Sequence, residues 1–206
     1  MPRRTEGPEA ARETTRERIV ESALGLFGEH GYAGTSVRAI AEDAGVSQGL
    51  LYNYFEGKEA LLEAIVRRSM VQVQRSFGRA VSGATPQEKV ERLVRAAFET
   101  VSHNLPFWRL LYQLRMQPGV LESLGGSVEA WTLAIRLQLA ELLREGGVRD
   151  VGTQARLLFA AIDGVAQHYA MDPEHYPIEE VTEALIGRFG PDAGRAWQAA
   201  PREGRA

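Results

Sequence analysis

Apolar residues recur along this chain at three- and four-residue intervals, and nowhere do they alternate with polar ones over a strand's length. Ile19, Val20, Ala23, Leu24 and Phe27 share one helical face, and Val90, Leu93, Val94, Ala97, Phe98 and Val101 share another. With no period-two segment and no internal repeat, the pattern predicts an all-α fold of about nine helices. The 206 residues suffice for one or two domains with buried cores. The absence of cysteine excludes disulfide frameworks, zinc fingers, thiol catalysis and iron–sulfur ligation together.

Punctuation divides the pattern into elements. Residues 1–14 mix Pro, Gly, Glu, Arg and Thr without apolar periodicity and read as a flexible arm. The helix through Ile19 is expected to end at Gly28 and Gly31. A very short helix follows, capped by Ser36 or by Thr35, with Val37, Ile40, Ala41 and Ala44 as its buried stripe. Gly45 breaks the pattern, Ser47 caps again, Leu51 and Phe55 form an i, i+4 apolar pair, and Gly57 closes the element. A longer amphipathic helix starts near Lys58. Further on, Thr85-Pro86-Gln87-Glu88 combines a capping box with Pro at the first helical position. Pro106 restarts a helix holding Trp108, Leu111, Tyr112 and Leu114. Trp131 to Leu143 is apolar nearly all round and is expected to be central, ending at Gly146-Gly147. Asp150 is expected to cap a helix reaching about Tyr169, and Glu179 to Phe189 forms the last one. The expected domains are the arm, a helix-turn-helix domain over 15–70, a second helical domain over 71–190, and a tail over 191–206.

The segment from Gly34 to Phe55 carries the functional information. Two short helices around a glycine turn make a helix-turn-helix. Ile40, Ala41, Ala44, Val46, Leu51 and Phe55 face each other across it. Ser47, Gln48, Leu50, Tyr52, Asn53 and Tyr54 face away, a set of hydroxyls, amides, phenols and one apolar tip with no acid among them. Such a face suits groove edges and phosphates, and the small Gly49 lets the backbone come close. The residues Ile40-Ala41, Ala44-Gly45-Val46-Ser47, Leu51-Tyr52, Tyr54-Phe55, Lys58-Glu59 and Leu61-Leu62 resemble the DNA-binding domain of the TetR (tetracycline-repressor) family of bacterial regulators over about Arg16 to Met70.

That resemblance implies a homodimeric, ligand-responsive transcriptional regulator, most often a repressor of a palindromic double-stranded DNA operator. It implies phosphate contacts for Ser36 and Val37 at the start of the first short helix, and phosphate or base contact for Arg38. Gln48, Gly49 and Leu50 would meet base edges, Tyr52 and Tyr54 phosphates, and Asn53 either. Lys58 would clamp a phosphate at a helix N-terminus. Tyr54 packing on that helix start is the equal alternative. Family members often carry a more basic or imidazole side chain near Asn53 or Tyr54, so the base preference stays open.

In the second half, Phe98, His103, Trp108, Tyr112, Arg115, Met116 and Trp131 suggest an aromatic-lined pocket for an apolar or anionic small-molecule effector. Leu157 with the small Ala160, Ala161 and Gly164, and Val181, Leu185 and Phe189, resemble the family's two-helix dimer face. His168, Asp172 and His175 lack metal-binding spacing, no catalytic or nucleotide motif is present, and no metal, cofactor or enzymatic activity is expected. The longest strongly apolar stretch, Leu157 to Ala166, is broken by Asp163, and residues 2–6 offer no apolar signal core. The expectation is a cytoplasmic protein with no membrane partner. The same residues leave room for a regulator without an effector, constitutive or activating, and for a helical interaction module that has lost DNA binding.

The net charge of −3 argues mildly against a nucleic-acid partner when taken alone. Residues 1–70 hold nine basic and eleven acidic side chains, yet Ser47 to Phe55 holds no acid. Binding through such a surface would rest on few cations, with a modest salt dependence.

Overall fold

The computed structural model describes residues 8–80, 85–122 and 124–190. They form ten helices and no strand: α1 (Pro8–His30), α2 (Val37–Asp43), α3 (Gln48–Tyr52), α4 (Lys58–Ala80), α5 (Pro86–His103), α6 (Leu105–Arg115), α7 (Pro118–Glu122), α8 (Ser127–Glu145), α9 (Val151–Met171) and α10 (Ile178–Phe189). The fold is all-α, with the five-residue α7 added to the expected set. The expected tail over 191–206 lies outside the described residues.

The chain divides into two compact units. The first runs to Ser69 and takes in Pro106–Gly125, a segment that sequence alone places in the second domain. Its core is Ile19, Ala23, Phe27, Ile40, Leu51, Leu61, Leu62 and Ile65 with Phe107, Leu110 and Leu111. The second comprises Met70–Leu105 and the chain from Gly126 onward. There α5 packs on α8, α9 and α10, and α8 packs on α9. The capping box at Thr85 is formed: the Thr85 N–H donates to Glu88 Oε2 at 2.8 Å, and the Glu88 N–H donates to Thr85 Oγ1 at 3.3 Å.

Four local expectations are revised. First, α1 starts at Pro8, so residues 8–14 are helical instead of a mobile arm. Glu, Ala and Arg are strong helix formers, and a helix already nucleated from Glu17 onward extends cheaply. Second, Gly28 does not end α1; it lies inside it, where a Cβ would come within 3.0 Å of the Pro106 carbonyl oxygen. The glycine lets α1 and the start of α6 touch. The helix stops at Gly31, with φ +77°. Third, α8 is not buried all round: Leu133 and Leu137 are 48% and 62% exposed. Fourth, Asp150 makes no side-chain cap and instead takes the left-handed conformation, φ 50°.

A strut ties α4 to the end of α1. Lys58 Nζ donates to the Tyr32 carbonyl at 2.9 Å and lies 4.7 Å from the Tyr32 ring centroid. Tyr32 Oη donates to Glu59 Oε1 at 3.0 Å, and its ring packs 5.2 Å from Phe27. Burial, reinforced by that hydrogen bond and the negative charge of Glu59, pushes the Tyr32 phenol up to about 12.

Two outcomes are expected. Gly25 is helical with open space where its Cβ would be, so Gly25→Ala stabilises the chain by ~1 kcal/mol. Gly28→Ala meets backbone and destabilises by ~1–3 kcal/mol despite the same gain in propensity. Thermal denaturation of the two variants checks the opposite signs. In an absorbance titration one tyrosine ionises near 12, and Glu59→Gln lowers that midpoint only part way because burial remains. The folded phenol binds its proton more tightly than the unfolded one. Its contribution to stability is therefore intact below about pH 10, the unfolded value, and is lost as pH rises toward 12.

Candidate nucleic-acid interface

Two serines begin the two short helices. Ser36 Oγ accepts the Ala39 N–H at 3.1 Å, and Ser47 Oγ accepts the Leu50 N–H at 3.1 Å. Thr35, the alternative first cap, is buried and serves α1 instead, donating to the carbonyls of Gly31 at 2.9 Å and Leu26 at 3.1 Å. Between the helices Gly45 takes φ +65°, and the Val46 N–H donates to the Ala41 carbonyl at 2.9 Å. The turn is thereby closed over one residue that only glycine adopts without cost.

Helix α3 has five residues, too few to persist alone. Leu51 anchors it, fully buried, with Phe55 one turn later. Their burial leaves Ser47, Gln48, Gly49, Leu50, Tyr52 and Asn53 exposed on the opposite side, Leu50 at 38% and Tyr52 at 49%. A Cβ at Gly49 would meet nothing within 4 Å. Nothing in the chain itself therefore requires glycine there. Glu42 and Asp43 are exposed late in α2, and Glu56 lies beyond the face.

The remaining expected residues border this face. Ser36 is exposed and Val37 half-buried. Arg38 is exposed, and its Nε donates to Glu42 Oε1 at 2.8 Å; that carboxylate holds the guanidinium pKa above its ordinary value. An exposed pair of this kind is screened and readily exchanged for a phosphate. Lys58 is half-buried and commits one of its three N–H donors to Tyr32. Tyr54 is half-buried, with the Arg12 guanidinium 5.8 Å from its ring centroid.

Arg12 and Arg16 are residues that sequence analysis passes over. Because α1 reaches back to Pro8, Arg12 stands over Tyr54, and Arg16 stands 5.1 Å from the Phe55 ring centroid. The signal is present in the sequence: positions 12, 16, 19, 23 and 27 step by four, three, four and four. The stripe changes from arginine to apolar residues, and a search for apolar periodicity stops at the change.

The expected effector residues fall in both units. Phe98, Trp131 and His103 belong to the second; Phe98 and Trp131 are buried, and His103 is exposed at the end of α5. Trp108, Tyr112, Arg115 and Met116 belong to the first. There Trp108 and Tyr112 lie 6.1 Å apart by ring centroid, Arg115 stands 5.2 Å from the Tyr112 centroid, and Met116 is 83% exposed. Of the expected dimer face, Leu157 and Ala160 are exposed, Ala161, Gly164, Val181 and Leu185 half-buried, and Phe189 buried. Among the described residues no group of three candidate ligands gathers for a metal; His175 Nδ1 pairs with Asp172 Oδ1 at 2.8 Å, and His168 stacks on Tyr176. Among them, too, no helix is long and apolar enough to cross a membrane.

Residues 19–65 match the family profile described as bacterial regulatory proteins, tetR family. A probable HTH-type transcriptional regulator of Bacillus subtilis, YttP, is 34% identical over 90 residues, which is 44% of this chain and 44% of YttP. The chain thus spans less than half the length of that relative in alignment. Similarity of fold extends further. A TetR-like transcriptional regulator from Rhodococcus sp. RHA1 superposes with a TM-score of 0.78 at 24% identity, covering 95% of this chain and all of that one. The transcriptional regulator FadR from Bacillus subtilis, solved in complex with stearoyl-CoA, superposes with a TM-score of 0.71 at 21% identity, covering 84% and 96%. The matched segment, residues 19–65, holds the helix-turn-helix and parts of the helices bracing it, and it is over this segment that the chain is similar to the bacterial regulatory proteins of the tetR family.

Proposed function

We propose that the chain is a transcriptional repressor that binds a palindromic operator as a homodimer, each subunit laying α3 in the major groove, and that releases the operator when a small molecule binds. The observation carrying this is the acid-free exposed face from Ser47 to Asn53, held outward by the burial of Leu51 and Phe55. Gln48 and Leu50 are the base readers, and Gln48 has the two-way hydrogen-bonding capacity that suits adenine. Ser36, Val37, Arg38, Ser47, Tyr52, Tyr54 and Lys58 border the reader as phosphate partners. Asn53 reaches either class. Gly49 keeps the backbone free to approach the duplex.

Residues 15–69, with Pro106–Gly125 in the same compact unit, serve as the DNA-binding domain, and Met70–Leu105 with the chain from Gly126 onward as the effector and dimerisation domain. Leu157, Ala160, Ala161 and Gly164 on α9, with Val181, Leu185 and Phe189 on α10, form the dimer face; small residues on α9 let a partner helix approach closely. Two-fold symmetry then demands paired half-sites. An effector works only by binding the two conformations unequally, and of the expected aromatic set Phe98, His103 and Trp131 belong to the second unit and are its candidate contacts there. Action on an operator puts the protein in the bacterial cytoplasm.

Arg12 joins the phosphate partners. It is exposed near the start of α1 and stands beside Tyr54. Gel shifts on DNA from upstream of the protein's own coding region test the whole reading. A sequence-selective shift is expected at low salt, and its absence with folded dimer present would sink it. Gln48→Ala should cost ~1–3 kcal/mol and relax the preference at one base pair per half-site. Arg12→Ala should weaken all sequences alike and flatten the salt slope by about one unit per subunit. An unchanged binding-site profile in Gln48→Ala would remove that residue from base reading.

A further inference from the structure

Within the second unit, α5, α9 and the start of α10 enclose a groove of about 380 Å³. Phe98, Tyr169 and Ile178 supply its apolar surface. Three carboxylates, Glu99, Glu179 and Glu183, line it against a single guanidinium, Arg95. That guanidinium is already engaged: Nη1 donates to Glu183 Oε1 at 2.6 Å and Nε to Glu91 Oε1 at 3.0 Å. The Arg95 partnership holds the Glu183 carboxyl below its ordinary range, so it stays ionised. Among the described residues neither Glu99 nor Glu179 has an ion-pair partner.

The hydroxyls complete the pattern. Ser102 Oγ donates to the Glu99 carbonyl at 2.9 Å, and Thr182 Oγ1 donates to the Ile178 carbonyl at 2.6 Å. Their protons are committed to their own helices, and what they retain is acceptor capacity. The lining therefore combines aromatic and aliphatic surface with an excess of acceptors and negative charge. An anionic head group would have to displace two carboxylates from Arg95 and would still face Glu99 and Glu179, whereas a cation would find carboxylates and aromatic side chains lining one site.

We propose that this groove binds an amphiphilic organic cation, with its hydrocarbon body on Phe98, Tyr169 and Ile178 and its ammonium or guanidinium head among Glu99, Glu179 and Glu183. The occupant differs in charge from the stearoyl-CoA found with the FadR neighbour. Its role as an effector rests on the repressor reading; its binding does not, and binding is what is tested. Decyltrimethylammonium and decanoate carry the same chain with opposite heads. Each is titrated calorimetrically, below its micelle concentration, into the full chain without DNA.

The expected result is saturable binding of the cation at one site per chain, at least tenfold weaker binding to E99Q/E179Q of unchanged helicity, and no saturable binding of decanoate. The Ile178 methyl resonance should move with the cation in the unmodified chain. Should the double variant fail to fold, Glu99→Gln alone, on an exposed position of α5, gives the same readout. No saturable cation binding, equal binding of decanoate, or unchanged affinity in the folded variant overturns the proposal. Cation binding by a chain that selects no operator would refute the repressor reading and leave this site standing; operator binding without cation binding would do the reverse.

Discussion

The burial of Leu51 is the constraint on which the helix-turn-helix unit depends. A five-residue helix has almost no hydrogen-bonding stability of its own, so α3 exists because its one inward side chain, Leu51, is fully buried in the unit whose core also holds Ile40, Ala41 and Phe27. Truncating such a residue costs ~2–5 kcal/mol in a well-packed core, a large share of a domain's stability. The same fact sets the function. A helix fixed at one point and capped by Ser47 has no freedom to turn its outer face inward, so Gln48, Leu50, Tyr52 and Asn53 stay exposed. The glycine turn at Gly45 and the strut from Lys58 to Tyr32 then fix what flanks α3.

Electrostatics takes second place to geometry. The face holds no acid, but neither is it broadly basic; its cations are Arg38, Lys58 and Arg12, and each has a protein partner. A site built this way relies on hydroxyls, amides and backbone N–H groups for positioning. On the proposed reading its non-specific affinity for DNA is accordingly low, and discrimination rests on fit. In the second unit the charge pattern is inverted: carboxylates gather around an apolar groove, and the arginine among them is held by two of their kind.

Much of this was legible in sequence because it rests on short-range chemistry. Ser36 and Ser47 cap as their positions suggest, the Thr85–Glu88 box closes, and the helical spacing of Ile40, Ala41, Leu51 and Phe55 identifies the inner face. What escaped depends on partners distant in the chain. Gly28 looks like a helix stop until Pro106 is seen against it. The stretch from Pro8 to Thr14 looks like an arm because helical periodicity is sought in apolar residues, whereas Arg12 and Arg16 meet aromatic rings through their charge. Leu133 and Leu137 look central because an all-round apolar helix usually is, yet they face outward from this chain. Asp150 resembles a cap, but its backbone adopts the left-handed turn that Asp tolerates.

The central claim is that two copies of α3 read one operator across a two-fold axis. Hydroxyl-radical footprinting on a DNA fragment selected by the full chain measures that arrangement directly. The account predicts two equivalent protected patches on one face of the duplex, related by a dyad and separated by about one helical turn or a whole multiple of it. A single protected patch without a dyad, or uniform protection independent of sequence, would contradict it.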